Sequence, residues 1–335
     1  MRRFLTGCVF AALALCAVAS GVVPSSIVVS SVRAEAFRFI AVGDMPYRLP
    51  QDNVRFDALI DRINALNPAF TVHVGDIKSS GTPCSDAAFA RVRQHFDRFA
   101  GALVYTPGDN EWTDCHVKPS GGFNALERLA RLRTMFFPVG KSLGRKPLSL
   151  RQQSAAAEFA PFVENAMWRH GGMQFAAIHV VGSANNLQRG REEIEEYLAR
   201  NAAGLNWLNR AFDRARETSS PGLVLFIHAN PLFELGRYRR AGFNDFIDLL
   251  TRRTIAFGRP VLLVHGDTHV FQFDQPLGYW DNGKRRQVDH FFRLEVFGDQ
   301  RMHGVEVTID AQQPGLFSVR PVIVNSTRTH PPTER

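Results

Sequence analysis

Cysteine is scarce in this 335-residue chain, which has four, and none of them belongs to a Cys-x-x-Cys pair. Without that spacing, a metal site built on thiolates is not expected. Cys8 and Cys16 fall in an apolar N-terminal segment, which leaves Cys84 and Cys115 as a single pair. We expect this pair to form a disulfide if the protein is exported, with two unpaired buried thiols as the alternative.

The chain also lacks an N-terminal apolar run long enough to span a membrane. The run at 4–19 is shorter than the roughly 20 residues that a spanning helix needs, and small and polar residues interrupt it. Two arginines precede this run and Ala-x-Ala patterns follow it, as in a secretory signal. We therefore expect residues 1–36 to be a signal peptide and the mature protein to be periplasmic or secreted, with no stable membrane span. An uncleaved anchor, or a lipid anchor at the LTGC sequence of 5–8, is the alternative.

Basic residues are numerous but form no long block. The net charge is +8, and the clusters near 238–240 and 284–286 are short. A diffuse excess of arginine argues against specific nucleic-acid binding and favours anionic substrates, although a soluble arginine-rich surface explains it equally well. No repeat or low-complexity segment interrupts residues 37–325, which are long enough for one large domain or two smaller ones. Residues 326–335 are expected to be a disordered tail.

Strands and helices alternate along the first part of the chain. Apolar residues at helical spacing predict helices, and short apolar runs predict strands. The predicted strands are at 37–42, 69–74, 102–106, 156–160, 174–181, 223–228 and 260–265, and the predicted helices are at 52–66, 86–100, 122–136, 191–216 and 242–257. The opening β-α-β-α-β series is typical of a parallel sheet with helices on its faces. Residues 138–151 are expected to be a surface loop, and 270–325 to form short strands.

Several of the apolar runs end at a carboxylate or an imidazole. They are FIAVGD at 39–44, TVHVGD at 71–76, LVYTPGDNEW at 103–112, LVLFIHANP at 223–231, and LLVHGD followed by THVF at 262–271. The C-terminal tips of strands are where α/β proteins present ligand-binding groups, so we expect these tips to converge on one edge. Mixed carboxylates and imidazoles suit Mn, Fe, Zn or Mg without choosing among them.

The order of these motifs, GD, GD, G-D-N-E, H-x-N-P and G-D-T-H, resembles that of the calcineurin-like metallophosphoesterase superfamily. The resemblance covers residues 39–271, most of the mature chain. What it implies is an α/β fold, a four-layer α/β/β/α sandwich of two mixed sheets with a metal site at the strand C-terminal ends. Residues 37–325 would form this single domain.

The resemblance also implies a centre of two divalent metal ions, Mn, Fe, Mg or Zn, that would activate a water and neutralise phosphate oxygens. Asp76 would bridge the two ions. The remaining ligands would be Asp44 and His269 at the first ion, and Asp109, His228 and Asp267 at the second.

The chain departs from the family pattern in three motifs. Pro46 stands where the first motif has a metal-binding histidine, and the neighbouring Tyr47 is a candidate substitute. In the third motif Asp109-Asn110 replaces Asn-His, and in the last Asp267 replaces a histidine, so that GDNE and GDTH stand for GNHE and GHTH. Carboxylates in place of neutral ligands shift the preference towards Mg, Mn or Ca relative to Zn.

Asparagine at position 110 removes a general acid, a contribution of typically 10² to 10⁴ in rate. Asn110 keeps the ability to donate a hydrogen bond to a phosphate. His265 and His116 are candidates for the missing acid. Because His265, Asp267 and His269 alternate at a strand end, all three are expected to point the same way. A satisfied strand-end histidine is the alternative for His265.

Two further residues are candidates for substrate contacts, beside Asn110. Lys78 lies two residues beyond Asp76 and could meet a phosphate, with a solvated loop lysine as the alternative. Asn185 lies in the sequence VGSANN, where a turn is the alternative role.

Two functions follow from these patterns. The first is an exported phosphoesterase that cleaves a small phosphorylated substrate, a monoester or a diester, by attack of a metal-activated hydroxide. The second is a degenerate member of the fold with a binding or structural role in the cell envelope. The retained carboxylates and histidines favour the enzyme, because random decay would more readily introduce apolar residues.

Overall fold

The computed structural model describes residues 35–187 and 190–324. The predicted signal peptide, except its last two residues, and the predicted tail at 326–335 lie outside the described residues. Within the described ranges, no helix is both long and apolar enough to cross a membrane. The described residues belong to one compact unit.

Helices form where one face of the sequence is apolar. In the first helix the buried side chains Phe56, Ile60 and Ile63 recur at spacings of three and four residues, which places them on one face. The helices of the described ranges are α1 (Asn53–Leu66), α2 (Asp86–Phe96), α3 (Ala125–Phe136), α4 (Gly182–Asn185), α5 (Arg191–Glu217) and α6 (Asn244–Phe257).

The strands form two large sheets and a separate hairpin. The first sheet contains β1 (Phe37–Val42), β2 (Thr71–His73), β3 (Ala102–Tyr105), β4 (Leu143–Gly144), β14 (Gly304–Ile309) and β15 (Phe317–Val322). The second contains β5 (Arg151–Gln152), β6 (Ala166–His170), β7 (Met173–Ala177), β8 (Leu223–Phe226), β9 (Val261–His265), β10 (Gln272–Asp274) and β13 (Phe291–Glu295). The hairpin is β11 (Gly278–Asp281) with β12 (Lys284–Gln287).

Each sheet has a parallel centre with antiparallel edges. In the first, ordered β15-β14-β1-β2-β3-β4, the parallel neighbours are β1, β2 and β3. In the second, ordered β10-β13-β9-β8-β7-β6-β5, they are β13, β9, β8 and β7. Both sheets are therefore mixed. The carboxyl ends of the parallel strands in each sheet open at one edge.

Three apolar clusters show how the layers stack. One packs the two sheets face to face and includes Phe39 and Phe226. Another packs the first sheet on α1, α2 and α3, and includes Ile40 and Leu59. The third joins β8 and β9 to α5 and α6. Because β1 buries both of its alternating faces from Phe39 onward, residues 39–42 form a continuous apolar run. The order helix, sheet, sheet, helix confirms the predicted four-layer α/β/β/α sandwich.

Two predictions in the middle of the chain are wrong. Residues 156–160, predicted as a strand, are largely exposed and form a 3-10 turn at Ala157–Phe159. Four of these five residues are alanine or glutamate, which are depleted in strands. The strand is β6 instead, and it joins β7 through Gly171 and Gly172, both with positive φ. A two-residue Gly-Gly turn between apolar runs is a hairpin signal that was present in the sequence. The predicted loop at 138–151 contains β4 and the start of β5.

Candidate metal centre

The parallel strands of both sheets bring the predicted ligands to one place. Asp44 and Asp76 follow β1 and β2, neighbours in the first sheet, while His228 and Asp267 follow β8 and β9, neighbours in the second. The ligand atoms of Asp44, Asp76 and His228 lie within 4.8 Å of one another, and so do those of Asp109, His228 and Asp267. These two groups overlap at His228, so the strand ends form a single cluster.

Glycines next to the acids make this convergence possible. A Cβ atom at Gly108 would lie 2.1 Å from Asp76 Oδ1, and one at Gly266 would lie 2.2 Å from Asp44 Oδ2. Both distances are shorter than a real contact, so these positions admit no side chain. The glycines at 108 and 266 are therefore required by the close approach of a neighbouring carboxylate.

The backbone of the cluster lies in an uncommon conformation. Asp44 has φ 54°, Asp76 φ 56°, Asp267 φ 87° and His269 φ 62°. Non-glycine residues adopt positive φ rarely, at a cost of order 1–3 kcal/mol each, and such residues cluster at functional sites. The turns after the strands thus hold these side chains in place at the expense of local stability.

His228 is oriented by the backbone and faces two carboxylates. Its Nδ1 lies 2.8 Å from the Val74 carbonyl oxygen. Its Nε2 lies 3.0 Å from Asp109 Oδ1 and 3.4 Å from Asp76 Oδ1. A ring that donates Nδ1–H to a carbonyl has Nε2 free to bind a metal, which is the usual arrangement of a ligating histidine.

The electrostatics of the cluster fit a cation. Burial raises the pKa of Asp76 well above its usual range, with His228 opposing the shift and Asp109 adding to it. Burial also raises the pKa of Asp267 to about 7, again against the effect of His228. For His228 burial lowers the pKa, but the charges of Asp76 and Asp109 outweigh it and raise the pKa well above the usual value. His228 is thus the positive partner of more than one buried carboxylate. Divalent metal ions would neutralise the negative charge that remains.

Tyr47 reaches into the half of the cluster that contains Asp44. Its buried hydroxyl donates to Asp76 Oδ2 at 2.9 Å and lies 2.9 Å from His269 Nε2. His269 Nε2 is also 3.6 Å from Asp44 Oδ1. Burial, followed by the charges of Asp76 and Asp44, raises the pKa of Tyr47 above its usual range. Tyr47, the residue after Pro46, therefore lies beside Asp76 and His269 in the half of the cluster that contains Asp44.

The third motif holds Asp76 from the opposite side. Asn110 donates its side-chain amide to Asp76 Oδ2 at 2.5 Å and its backbone N–H to Asp76 Oδ1 at 3.1 Å. Glu111 Oε1 accepts hydrogen bonds from Asp76 N at 3.1 Å and from Gly108 N at 2.6 Å. The loop after β3 is thereby fixed to the loop after β2.

A disulfide lies directly under this loop. Cys84 and Cys115 are bonded, with their Cα atoms 5.7 Å apart, and both are fully buried. The Asn110 carbonyl oxygen lies 3.6 Å from Cys84 Sγ and 3.8 Å from Cys115 Sγ. The bridge therefore joins the segments that follow Asp76 and Asp109.

Lys78 is buried beside the cluster rather than solvated. Its side chain is 3% exposed, and Nζ donates to the Ser79 carbonyl at 3.0 Å. Burial lowers the pKa of Lys78, against the opposing charges of Glu111 and Asp76. The Lys78 ammonium is therefore near enough to Glu111 and Asp76 for their charges to act on it.

The two histidines that were candidates for the missing acid lie in different surroundings. His265 is fully buried, its Nδ1 faces the Gly266 carbonyl at 2.8 Å, and burial lowers its pKa to about 3. It is therefore neutral near pH 7 and cannot act as an acid there. It does not share the orientation of Asp267 and His269, because positive φ at both of these residues breaks the strand alternation. His116 is exposed on a 3-10 turn, and its Nδ1 lies 2.8 Å from the Thr113 carbonyl.

The structure also gives Asn185 a structural position instead of a substrate contact. The residue is buried, and its Oδ1 accepts from Arg200 Nη1 at 2.6 Å. Its Nδ2 donates to the Gly242 carbonyl at 3.0 Å. Both ends of the amide are therefore engaged with the protein, which agrees with the alternative turn role.

Three supporting residues were not singled out from the sequence. Ser183, in the left-handed turn α4, donates to Asp109 Oδ2 at 2.7 Å. The Asn230 backbone N–H donates to Asp267 Oδ2 at 2.9 Å. Glu295 accepts from the backbone N–H of Thr268 at 3.2 Å, and so holds the last motif. The Asn of the H-x-N-P string was a readable signal, whereas nothing in the local sequence marks Ser183 or Glu295.

No known family model matches the chain, and no curated protein is detectably similar to it in sequence. Among solved structures, GAP50, the anchor in the inner membrane complex of Plasmodium, is 10% identical, with 88% of this chain and 90% of that chain covered and a TM-score of 0.48. Purple acid phosphatase PPD1 from yellow lupin (Lupinus luteus) seeds is 11% identical, with 86% and 54% covered and a TM-score of 0.48. A hypothetical protein from Thermus thermophilus is 11% identical, with 85% and 98% covered and a TM-score of 0.38. Identities this low do not carry an activity from one protein to another.

Proposed function

We propose that this chain is an exported, metal-dependent phosphoesterase that hydrolyses a phosphomonoester or a phosphodiester. The observation that carries the proposal is the buried cluster of carboxylates and imidazoles at the strand ends, with ligand atoms within 4.8 Å in two overlapping groups. Export is supported by the Cys84–Cys115 disulfide, since disulfides persist mainly in oxidising compartments.

The two oxygens of Asp76 support its proposed position between two cations. Oδ1 is 3.4 Å from His228 Nε2, while Oδ2 is 2.9 Å from the Tyr47 hydroxyl, which itself lies beside His269. Asp44 and His269 would complete the first site, and Asp109, His228 and Asp267 the second. Tyr47 is the candidate oxygen ligand in place of a residue at position 46. When bound, two divalent cations would neutralise phosphate oxygens and activate water for attack.

The neighbouring polar groups are suited to hold a phosphate. Asn110 would donate its amide N–H to a phosphate oxygen, and the buried ammonium of Lys78 would add a positive charge. Asn110 has no proton to transfer, and His265 is neutral and buried. Good leaving groups should therefore react faster than those that need protonation.

Hydrolysis of p-nitrophenyl phosphate and bis-p-nitrophenyl phosphate tests the activity, with Mg, Mn, Fe, Zn and Ca supplied in turn. We expect turnover with at least one hard cation, and a loss of at least about 100-fold in Asp76→Asn, because even residues that only support a ligand contribute about 10- to 100-fold. Asp97→Asn, which alters an exposed carboxylate at the C-terminal end of α2, is the matched control. The better ester would identify the substrate class.

A degenerate protein with a binding or structural role in the cell envelope is the second candidate. What favours it is the third motif, where Asn110, which has no proton to transfer, stands in place of the histidine of the family pattern. Failure of all five metals to give turnover with either ester would contradict the phosphoesterase and favour this role.

A further inference from the structure

A second cleft lies between the β11–β12 hairpin, the segment 233–240 and α6. Its volume is about 760 Å³, within the range of roughly 300–1,000 Å³ that is usual for small-molecule sites. None of its lining residues belongs to the metal cluster. The cleft is therefore a separate candidate site.

The floor of the cleft is apolar and one wall is aromatic. Phe233, Ile247 and Leu277 are buried beneath it, and the hairpin supplies Tyr279 and Trp280. Trp280 is 75% exposed, although the other tryptophans of the chain are buried. An exposed indole over an apolar floor is suited to receive a flat ring.

The charges of the cleft are unbalanced. Its two acids are already paired, since Asp248 lies 2.7 Å from Arg237 and Glu234 lies 2.6 Å from Arg293. The remaining arginines of the lining have no carboxylate partner among the described residues. They are Arg240, Arg252 and Arg285.

Arg240 is the most constrained of these arginines. Its Nε is buried and has no hydrogen-bond partner among the described residues. Burial lowers the pKa of Arg240, and the nearby charge of Arg237 lowers it further. A buried donor without a partner is destabilising, and a hydrogen bond to an anion in the cleft would relieve that cost.

The hairpin places a ring beside a guanidinium. Trp280 and Arg285 face each other directly across the two strands. The turn that joins the strands has positive φ at both Asn282 and Gly283, the conformation that fits a tight two-residue hairpin. The aromatic and cationic groups are therefore carried on one short, regular element.

We propose that this cleft binds an anionic molecule with a planar aromatic ring, of the nucleotide class. The ring would pack on the apolar floor against Trp280, and the phosphate groups would accept hydrogen bonds from Arg240, Arg252 and Arg285. Three unpaired arginines complement the charge of a nucleoside diphosphate. This binding is independent of the proposed phosphoesterase activity.

Calorimetric titration of the full chain tests the proposal, with EDTA present so that the metal centre is not loaded. The probes are ADP, pyrophosphate, which has the charge alone, and adenosine, which has the ring alone. We expect ADP to bind more tightly than either fragment. Absence of measurable ADP binding, or equal affinity for ADP and pyrophosphate, would overturn the proposal.

Substitutions identify the site. Arg285→Gln and Arg240→Gln should each weaken ADP binding by about tenfold, the usual effect of one hydrogen bond to a charged group. Trp280→Ala should weaken ADP by about three- to tenfold and leave pyrophosphate unchanged. Arg91→Gln, which removes the same charge from an exposed position on α2, is the control. ADP affinity that is unaltered in both cleft arginine variants, or lost in Asp76→Asn, would overturn the assignment, the latter by placing ADP at the metal centre.

Discussion

The candidate metal centre and the hairpin cleft contain charges of opposite sign, and they position these charges differently. At the strand ends, Asp44, Asp76 and Asp109 are buried and held by backbone turns, glycine contacts and hydrogen bonds. In the cleft, Arg252 and Arg285 are exposed and rest on separate elements. The centre therefore depends on the rigidity of its loops, whereas the cleft depends on the long-range field of charges that salt can screen.

Removal of the disulfide should give the largest difference in effect between the candidate metal centre and the cleft. In a Cys84→Ser, Cys115→Ser double variant, the free energy of unfolding should fall by about 2–4 kcal/mol, because the reduced unfolded chain regains the entropy of the closed loop. Urea unfolding measures this loss. Metal affinity should also fall, because the bridge holds the segments after Asp76 and Asp109.

ADP affinity in the same double variant should stay unchanged, since neither cysteine loop lines the cleft. Equal loss of metal and ADP binding would show that the two regions are not independent.

Ser183→Ala should affect the metal centre alone. The variant removes the hydroxyl that donates to Asp109 Oδ2, and loss of such a supporting contact typically costs about 10- to 100-fold in metal affinity. Titration of the metal-free protein with Mn²⁺ measures the change. Ser318→Ala, at an exposed position of β15, is the control. Equal Mn²⁺ affinity in the two variants would show that the Ser183 hydroxyl does not support metal binding.

His73 and His265 should contribute a smaller, graded loss of stability in acid, opposite in sign to the contribution of Asp76 and Asp267, whose raised pKa values favour folding as the pH falls. Burial lowers the pKa of His73 to about 4 and that of His265 to about 3, both below the value of an unfolded histidine. Between about pH 6.5 and 4 the unfolded chain binds more protons, so stability is lost as the pH falls, at about 1.4 kcal/mol per pH unit for one histidine.

Urea unfolding at pH 7, 6 and 5 in EDTA measures this slope. His265→Gln should reduce it. An unaltered slope in that variant would mean that the pKa of His265 is not lowered in the folded protein.

The comparison also explains what the sequence could predict. Asp44, Asp76 and His228 each follow an apolar strand, and parallel strands end at a shared edge. The cluster could therefore be predicted from short sequence patterns. The cleft could not be predicted in this way, because its residues come from three separate segments, around 233–240, 247–252 and 276–285, and no local pattern marks them as one site. Ser183 and Asn185 are similar cases, since their roles depend on a left-handed turn held by Arg200. The shared orientation expected of His265, Asp267 and His269 does not follow from their spacing, because strand alternation does not continue through residues with positive φ.

The metal content of the purified protein tests the central claim most directly. After loading with Mn²⁺ and removal of free metal, elemental analysis should give about two ions per chain in the wild type. Asp76→Asn should hold less than one, since a bridging carboxylate serves both positions, and Asp97→Asn should match the wild type. An absence of bound metal in the wild type, or an unchanged content in Asp76→Asn, would contradict a two-metal centre at these strand ends.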